Sequence, residues 1–215
     1  MNQRTRIKIC GVSQIVDVEA AAEAGADAVG FVFHPASPRF VTVERAVHLA
    51  RALPPYVVPV GLFVNAARAD VDRVLAAIPT LVLKFHGDES AEQCDGFQRP
   101  YLRAARMAPG LDLLDFSRRY RGAQALLLDA HVDGFGGAGK AFDWSLVPPG
   151  VAHRLVLSGG LHAANVGAGI QQLRPWAVDV SSGVESSRGV KDAAAIRRFC
   201  DAVREADSRI AASTA

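Results

Sequence analysis

Eight short apolar runs separated by helical patterns predict an α/β chain folded as a single (β/α)8 barrel. Three observations carry that expectation. Eight strand-then-helix units in about 200 residues is the count this architecture needs, near its lower size limit. Several runs are apolar at consecutive positions rather than alternating, as parallel strands covered on both faces are. No two runs are joined by an obvious hairpin turn. A doubly wound open sheet is the alternative, and the regularity of the alternation favours closure. One domain is expected over residues 1–215, with a frayed tail from about 207 to 215.

The strands are expected at 6–10 (RIKIC), 28–33 (AVGFVF), 57–64 (VVPVGLFV), 81–85 (LVLKF), 101–105 (YLRAA), 125–129 (ALLLD), 154–158 (RLVLS) and 177–181 (AVDVS). The fifth is the least apolar. Among the helices, 191–206 is the clearest, because Ile196, Phe199, Cys200 and Val203 fall at i, i+3, i+4 and i+7. Ile15, Val18 and Ala22 make a similar stripe after the first strand, and Gly25 in "AAEAGAD" marks that helix's C-cap. The connection 109–122 is weakly patterned.

Composition narrows the function. Half of the residues are hydrophobic and 21% charged, enough for a sizeable core. A net charge of +2, with basic residues only in scattered pairs such as Arg118-Arg119 and Arg197-Arg198, argues against a nucleic-acid partner. The N-terminus enters a strand pattern too soon for a signal peptide. The uncharged stretches 52–67 and 155–173 are interrupted by proline or diluted by polar residues, so no membrane span is expected. Three widely spaced cysteines, Cys10, Cys94 and Cys200, suit a reducing cytoplasm and neither a disulfide framework nor a structural zinc site.

In a barrel the chemistry lies where the strands stop, and the polar residues cluster there. Cys10 sits at the tip of strand one. Most lone cysteines are small buried hydrophobes, as Cys94 and Cys200 read, but a strand-tip thiol facing the mouth becomes a base if its pKa is lowered. Asp129 directly follows "ALLL", where burial favours general-acid use, although an N-cap or loop salt bridge would also account for it. Arg39 lies in "SPRF", whose prolines stiffen a loop around a bidentate anion binder; a surface salt bridge is its plainer reading. His34, His86 and His131 all follow strand ends without HxH or HxxxH spacing, so no metal site is expected, and His86 is expected to line the pocket. The glycine-rich segment 130–140 is a candidate mobile loop and lacks the GK[ST] of a Walker motif, Lys140 being followed by Ala141.

Two further ends form a pair. Barrels often hold phosphate with the loops after strands seven and eight, where backbone N–H groups and a helix N-terminus face an anion. Gly159-Gly160 and Ser182-Gly183 occupy those two loops. Either pair alone would pass for a tight turn; together they predict a small phosphorylated ligand.

The strand ends "IKICG", "GFVFHPASPRFV", "GLFVN", "KFHGDE", "LLLDAHVDGFGGAGKAFDW", "SGGLHAANV" and "VDVSSGVESSRGVKD", in this order, resemble those of the phosphoribosylanthranilate isomerase family across residues 7–199. The resemblance implies a cofactor-free, metal-free Amadori rearrangement in tryptophan biosynthesis, from N-(5-phospho-β-D-ribosyl)anthranilate to 1-(2-carboxyphenylamino)-1-deoxy-D-ribulose 5-phosphate. It makes Asp129 the general acid at the ribose ring oxygen and Cys10 the general base at C2. It gives Arg39 the anthranilate carboxylate, and Gly160 with Ser182-Gly183 the phosphate. The chain departs from that pattern at Lys84, where the family often has Gln, at Ala138, where Thr is frequent, and at Ser158, where Ala is usual.

Three rivals are weighed against this. A histidine-pathway or dual-substrate phosphoribosyl isomerase is disfavoured by Cys10, since that family resembles this one with Asp at the end of strand one, and by the single glycine-rich phosphate pair. A metal-dependent sugar-phosphate epimerase would be separated by chelation. A barrel that binds a phosphorylated ligand without turnover would be separated by assay. No heptad seam marks an interface, so a monomer or a homodimer is expected, the monomer preferred.

Overall fold

The computed structural model describes residues 4–130 and 141–213. Eight parallel strands close in sequence order: β1 (Arg6–Cys10), β2 (Ala28–Val32), β3 (Val58–Phe63), β4 (Val82–Phe85), β5 (Tyr101–Met107), β6 (Ala125–Ala130), β7 (Arg154–Leu157) and β8 (Ala177–Val180), with β8 returning to pair with β1. All eight lie where the apolar runs predict them. The open-sheet alternative is excluded by that last pairing, in which Lys8 stands opposite Asp179.

The weakest expected strand is the longest one found. Its pattern is broken by Arg103, which is buried: the guanidinium donates to the carbonyls of Phe85 at 3.0 Å and Gly87 at 3.0 Å, and lies over the rings of Phe116 and Tyr120. A charge satisfied in this way is compatible with a covered strand, and it ties the end of β4 to β5.

Seven α-helices wrap the described parts of the barrel: α1 (Ile15–Glu23), α2 (Val43–Arg51), α3 (Arg68–Ala77), α4 (Ala91–Asp95), α5 (Leu113–Arg119), α6 (Val166–Leu173) and α7 (Ala193–Ala212). Several begin at a side-chain acceptor. Thr42 caps α2 through Arg45 N, Asp112 caps α5 through Asp115 N, and Asp192 caps α7 through Ala195 N. These caps satisfy amide groups that have no partner inside the helix. The first helix ends at Glu23 and its C-cap is Ala24, one residue before the Gly25 expected there, which follows at φ 79°.

Three expectations need correction. The described part of the β6–β7 connection carries a 3-10 turn, Trp144–Leu146, in place of an eighth α-helix. Residues 131–140, including His131, Ala138 and Lys140, lie outside the described residues. The tail does not fray at 207. Helix α7 continues to Ala212, because Ala206 is buried and Asp207 accepts from both the N–H and the hydroxyl of Thr5 at 2.7 Å, locking the helix to the foot of β1. A hairpin also appears where no turn signal was read: β9 (Glu185–Ser187) pairs antiparallel with β10 (Val190–Lys191) beside the mouth.

The core has two parts. The large one lies between the strands and helices and includes the stripe Ile196, Phe199, Cys200 and Val203, all fully buried. The small one fills the barrel's interior with Ala104, Ala125, Leu127, Val156 and Ala177. No helix among the described residues is long and apolar enough to cross a membrane.

Candidate active site

Side chains two residues apart on a strand share a face. Along β1 that rule puts Lys8 and Cys10 inward, and β4 continues it with Lys84 and His86. On β6 it gives Leu127 and Asp129, and β8 adds Ala177 and Asp179. On β6 and β8 the inward face therefore changes from apolar to ionisable over one pleat.

At the upper level Cys10, His86 and Asp129 line one cleft. The thiol has room because the residue opposite it on β2 is Gly30; a Cβ there would stand 2.9 Å from Cys10 Sγ and 2.8 Å from Lys8 Nζ. His86 Nε2 is 2.9 Å from Asp129 Oδ2. Burial drives the imidazole's pKa below its ordinary value, and although Asp129 pulls the other way, the charge of Lys84 adds to the lowering. A neutral His86 can donate to the ionised carboxylate or accept from the protonated one, so it follows Asp129 through a change of charge. Its Nδ1 is buried without a partner among the described residues.

Directly beneath, Asp179 accepts from Lys8 at 2.8 Å through Oδ1 and from Lys84 at 2.9 Å through Oδ2. All three are buried. Burial opposes the carboxylate's charge, yet two ammonium groups outweigh it and hold the pKa at about 2. Burial likewise works against Lys84, and Asp179 overrides it, raising the pKa. Two cations share one anion, so the cluster carries a net positive charge.

The third group is built by the hairpin. Arg39 Nε and Nη2 grip Glu185 at 2.6 and 2.8 Å, and Lys191 Nζ reaches the same carboxylate at 2.7 Å. Burial alone would raise the Glu185 carboxyl; the bonds from Arg39 and Lys191 hold it below the usual range. The fork uses Nε and Nη2, one edge of the guanidinium, and Arg39 also lines the cleft. Gly11 permits this approach: a Cβ there would collide with Arg39 Cδ at 2.4 Å.

The glycine pairs have reasons that the sequence alone did not reveal. Gly159 and Gly160 take φ of 78° and 64°, where a side chain strains the backbone. A Cβ on Gly159 would strike Ala130 N at 2.3 Å, and one on Gly183 would strike the Leu161 carbonyl at 1.9 Å. The loops after β7 and β8 thus pack against each other and against the end of β6. Among the described residues no hydrogen bond takes up the N–H groups of Gly159 or Gly160. The Gly160 carbonyl is held by Asn165 Nδ2 at 2.9 Å, at the start of α6.

Of the residues expected from sequence, Cys10, Arg39, His86, Asp129, Gly159, Gly160 and Ser182 line the cleft together, as does Ser158. Gly183 sits behind the lining. Cys94 and Cys200 are fully buried elsewhere, their thiols pushed up by burial to about 12 and about 11. Sequence reasoning missed Lys8, Asp179, Glu185 and Lys191, and treated Lys84 only as a departure. The signal available was the period of two: Lys8 stands two before Cys10, and Lys84 two before His86. Among the described residues no three of His, Cys, Asp and Glu are grouped as a metal site.

Residues 7–202 match the family model described as N-(5'phosphoribosyl)anthranilate (PRA) isomerase. An N-(5'-phosphoribosyl)anthranilate isomerase from Methylibium petroleiphilum is 67% identical over 210 residues, 98% of this chain and 99% of the relative. A phosphoribosyl anthranilate isomerase from Thermotoga maritima, an enzyme that a second structure describes as dimeric, superposes with a TM-score of 0.86 at 38% identity, covering 94% and 99% of the two chains. A structure of the same kind of enzyme in complex with reduced 1-(o-carboxyphenylamino)-1-deoxyribulose 5-phosphate gives 0.83 at 36% identity, covering 94% of this chain and 99% of the other.

Proposed function

The chain belongs to the phosphoribosylanthranilate isomerase family, and from that premise we propose that Cys10 is its general base, Asp129 its general acid and Arg39 the holder of the substrate's carboxylate. The activity is isomerisation of N-(5'-phosphoribosyl)anthranilate in tryptophan biosynthesis. The observation that supports the roles is that Cys10, Asp129, Arg39 and the glycine pair open onto one cleft.

Asp129 gives its proton to the ribose ring oxygen as the bond from C1 to that oxygen breaks, leaving an iminium between C1 and the anthranilate nitrogen. The positive nitrogen acidifies C2, so a thiolate suffices to remove its proton, and no cofactor or metal enters the scheme. The electron pair left on C2 forms the C1–C2 double bond of an enolamine. Its hydroxyl proton is then lost as C1 gains one, giving the amino ketone. Cys10 ends protonated and Asp129 ionised, and transfer of one proton between them through solvent restores the starting state.

Arg39 Nη1 takes the anthranilate carboxylate, and the free amides of Gly159 and Gly160, with Ser182, take the phosphate, while Gly183, packed against Leu161, lets its loop stand beside them. His86 stabilises either charge state of Asp129. The protein works in the cytoplasm, in keeping with three unpaired cysteines, as a monomer or a homodimer.

The test is turnover of freshly generated phosphoribosylanthranilate, followed as loss of its fluorescence with chelator present. Cys10→Ala and Asp129→Asn each lower kcat by about three orders of magnitude, in the range of a lost acid or base, with thermal stability unchanged. Near-native turnover in either variant removes that residue from its role, and turnover abolished by the chelator alone removes the metal-free scheme.

A further inference from the structure

We propose that Lys84 supplies a buried positive charge that favours the thiolate form of Cys10, acting through the thiol rather than on the substrate. This rests on the assignment of Cys10 as the base. Lys84 Nζ holds Asp179 Oδ2 at 2.9 Å, and Lys8 Nζ holds Oδ1 of the same carboxylate at 2.8 Å. Lys8 Nζ and Cys10 Sγ approach the same point over Gly30, within 2.8 and 2.9 Å of where its Cβ would stand. The thiol therefore sits on the upper surface of the cluster, and Lys84 shares the cleft with it.

One carboxylate neutralises one lysine. If the cluster held only Lys8 and Asp179, the layer beneath Cys10 would be an ion pair with no net charge, and burial would favour the neutral thiol. Lys84 leaves one positive charge uncancelled where water cannot screen it.

The other groups facing the thiol do not supply that charge from below. Arg39 and Lys191 are both engaged by Glu185, and Arg39 is the holder of the substrate's carboxylate. Asp129 is a carboxyl, and His86 is held neutral beside it. His34 lies on the cleft's rim. Among these groups four cations face two charged carboxylates while Asp129 holds its proton, and replacing Lys84 removes one of the two uncancelled charges.

The experiment is a pH titration of Cys10 by the far-ultraviolet absorbance of its thiolate, taken as the difference between each protein and its Cys10→Ala counterpart. Cys94 and Cys200, pushed up to about 12 and about 11, cancel in that difference. Lys84→Gln, which retains a donor for Asp179, moves the midpoint up by about one pH unit or more, and Lys84→Arg, which retains the charge, restores it. The acid limb of kcat/KM moves upward with the thiolate.

A folded Lys84→Gln protein with the native midpoint overturns the proposal. If that variant does not fold, Lys84→Met, which keeps the apolar stem and drops the charge, takes its place, and a native midpoint in it overturns the proposal. The thiolate reading is independent of turnover. Should Cys10→Ala retain activity while Lys84→Gln still shifts the titration, the base assignment falls and the charge effect stands.

Discussion

The two ends of the barrel's interior use the same strands and the same inward face for opposite purposes. At the N-terminal end the inward residues are Ala104, Ala125, Leu127, Val156 and Ala177, closed off by Trp176 under the guanidinium of Arg6 at 4.6 Å. One pleat further along, Leu127 gives way to Asp129, Val156 to Ser158 and Ala177 to Asp179, joined by Lys8 and Lys84. Alternation assigns a residue to the inward face; depth along the strand assigns its task. Below, small apolar side chains fill a narrowing space, and what matters there is volume. Above, charged groups with one cation in excess occupy the same cross-section, and what matters there is their count and geometry.

Removing one charge from the upper level should separate the two ends most strongly. Asp179→Asn leaves Lys8 and Lys84 buried with no anion between them, which costs about 3–5 kcal/mol, the range for an uncompensated buried charge. The loss depends on pH. The carboxyl's ordinary value is 3.8 and its folded value about 2, so its contribution to stability is complete above the former and lost as pH falls through the latter. Urea unfolding of native and Asp179→Asn protein should therefore give curves that differ most above pH ~5 and converge towards pH ~2. A gap independent of pH would mean that the variant fails through packing rather than charge, and the contrast between the two ends would weaken.

The converse change belongs to the lower level. Leu127→Ala removes a fully buried side chain from the interior layer, leaving a cavity that costs about 2–5 kcal/mol. Its kcat and KM should stay within about twofold of native, since the reacting groups stand one pleat above it and are fixed by their own charge network. Paired measurement of unfolding free energy and steady-state turnover checks this. A fall in kcat as large as the fall in stability would show that the two ends are one mechanical unit.

The same contrast explains what sequence reasoning reached. Eight consecutive apolar runs announce eight covered strands, because a two-faced hydrophobic strand has few other homes. Asp129 stands out as an acid at the end of such a run, and Cys10 as a thiol at a strand tip. Lys8 and Lys84 do not stand out, because a lysine within a strand ordinarily reads as an exposed position. Only closure of the barrel brings β1, β4 and β8 around a single carboxylate. Glu185 and Lys191 were hidden for a related reason: they belong to a short hairpin whose turn glycine, Gly189, was not read as one, and their task is to hold an arginine that is 146 residues away from Glu185 in the chain. The glycine pairs were found for one reason and turn out to serve a second, since Gly159 and Gly183 are also the points where neighbouring loops touch.

The smallest expected effect tests whether the mouth itself divides into a reacting part and a holding part. Arg39 meets Glu185 through two nitrogens, a planar fork that lysine cannot reproduce. Arg39→Lys should therefore keep a positive charge near the cleft but lose its fixed direction. If Arg39 only holds the far end of the substrate, ground state and transition state lose the same interaction. KM then rises about tenfold, ~1.4 kcal/mol, while kcat changes by no more than about threefold. Stability falls little, because Lys191 still satisfies Glu185 at 2.7 Å. Steady-state kinetics on the variant decide the matter. A loss that falls on kcat would mean that the carboxylate's grip aligns C2 with the thiol, so that holding and reacting are one function of the mouth.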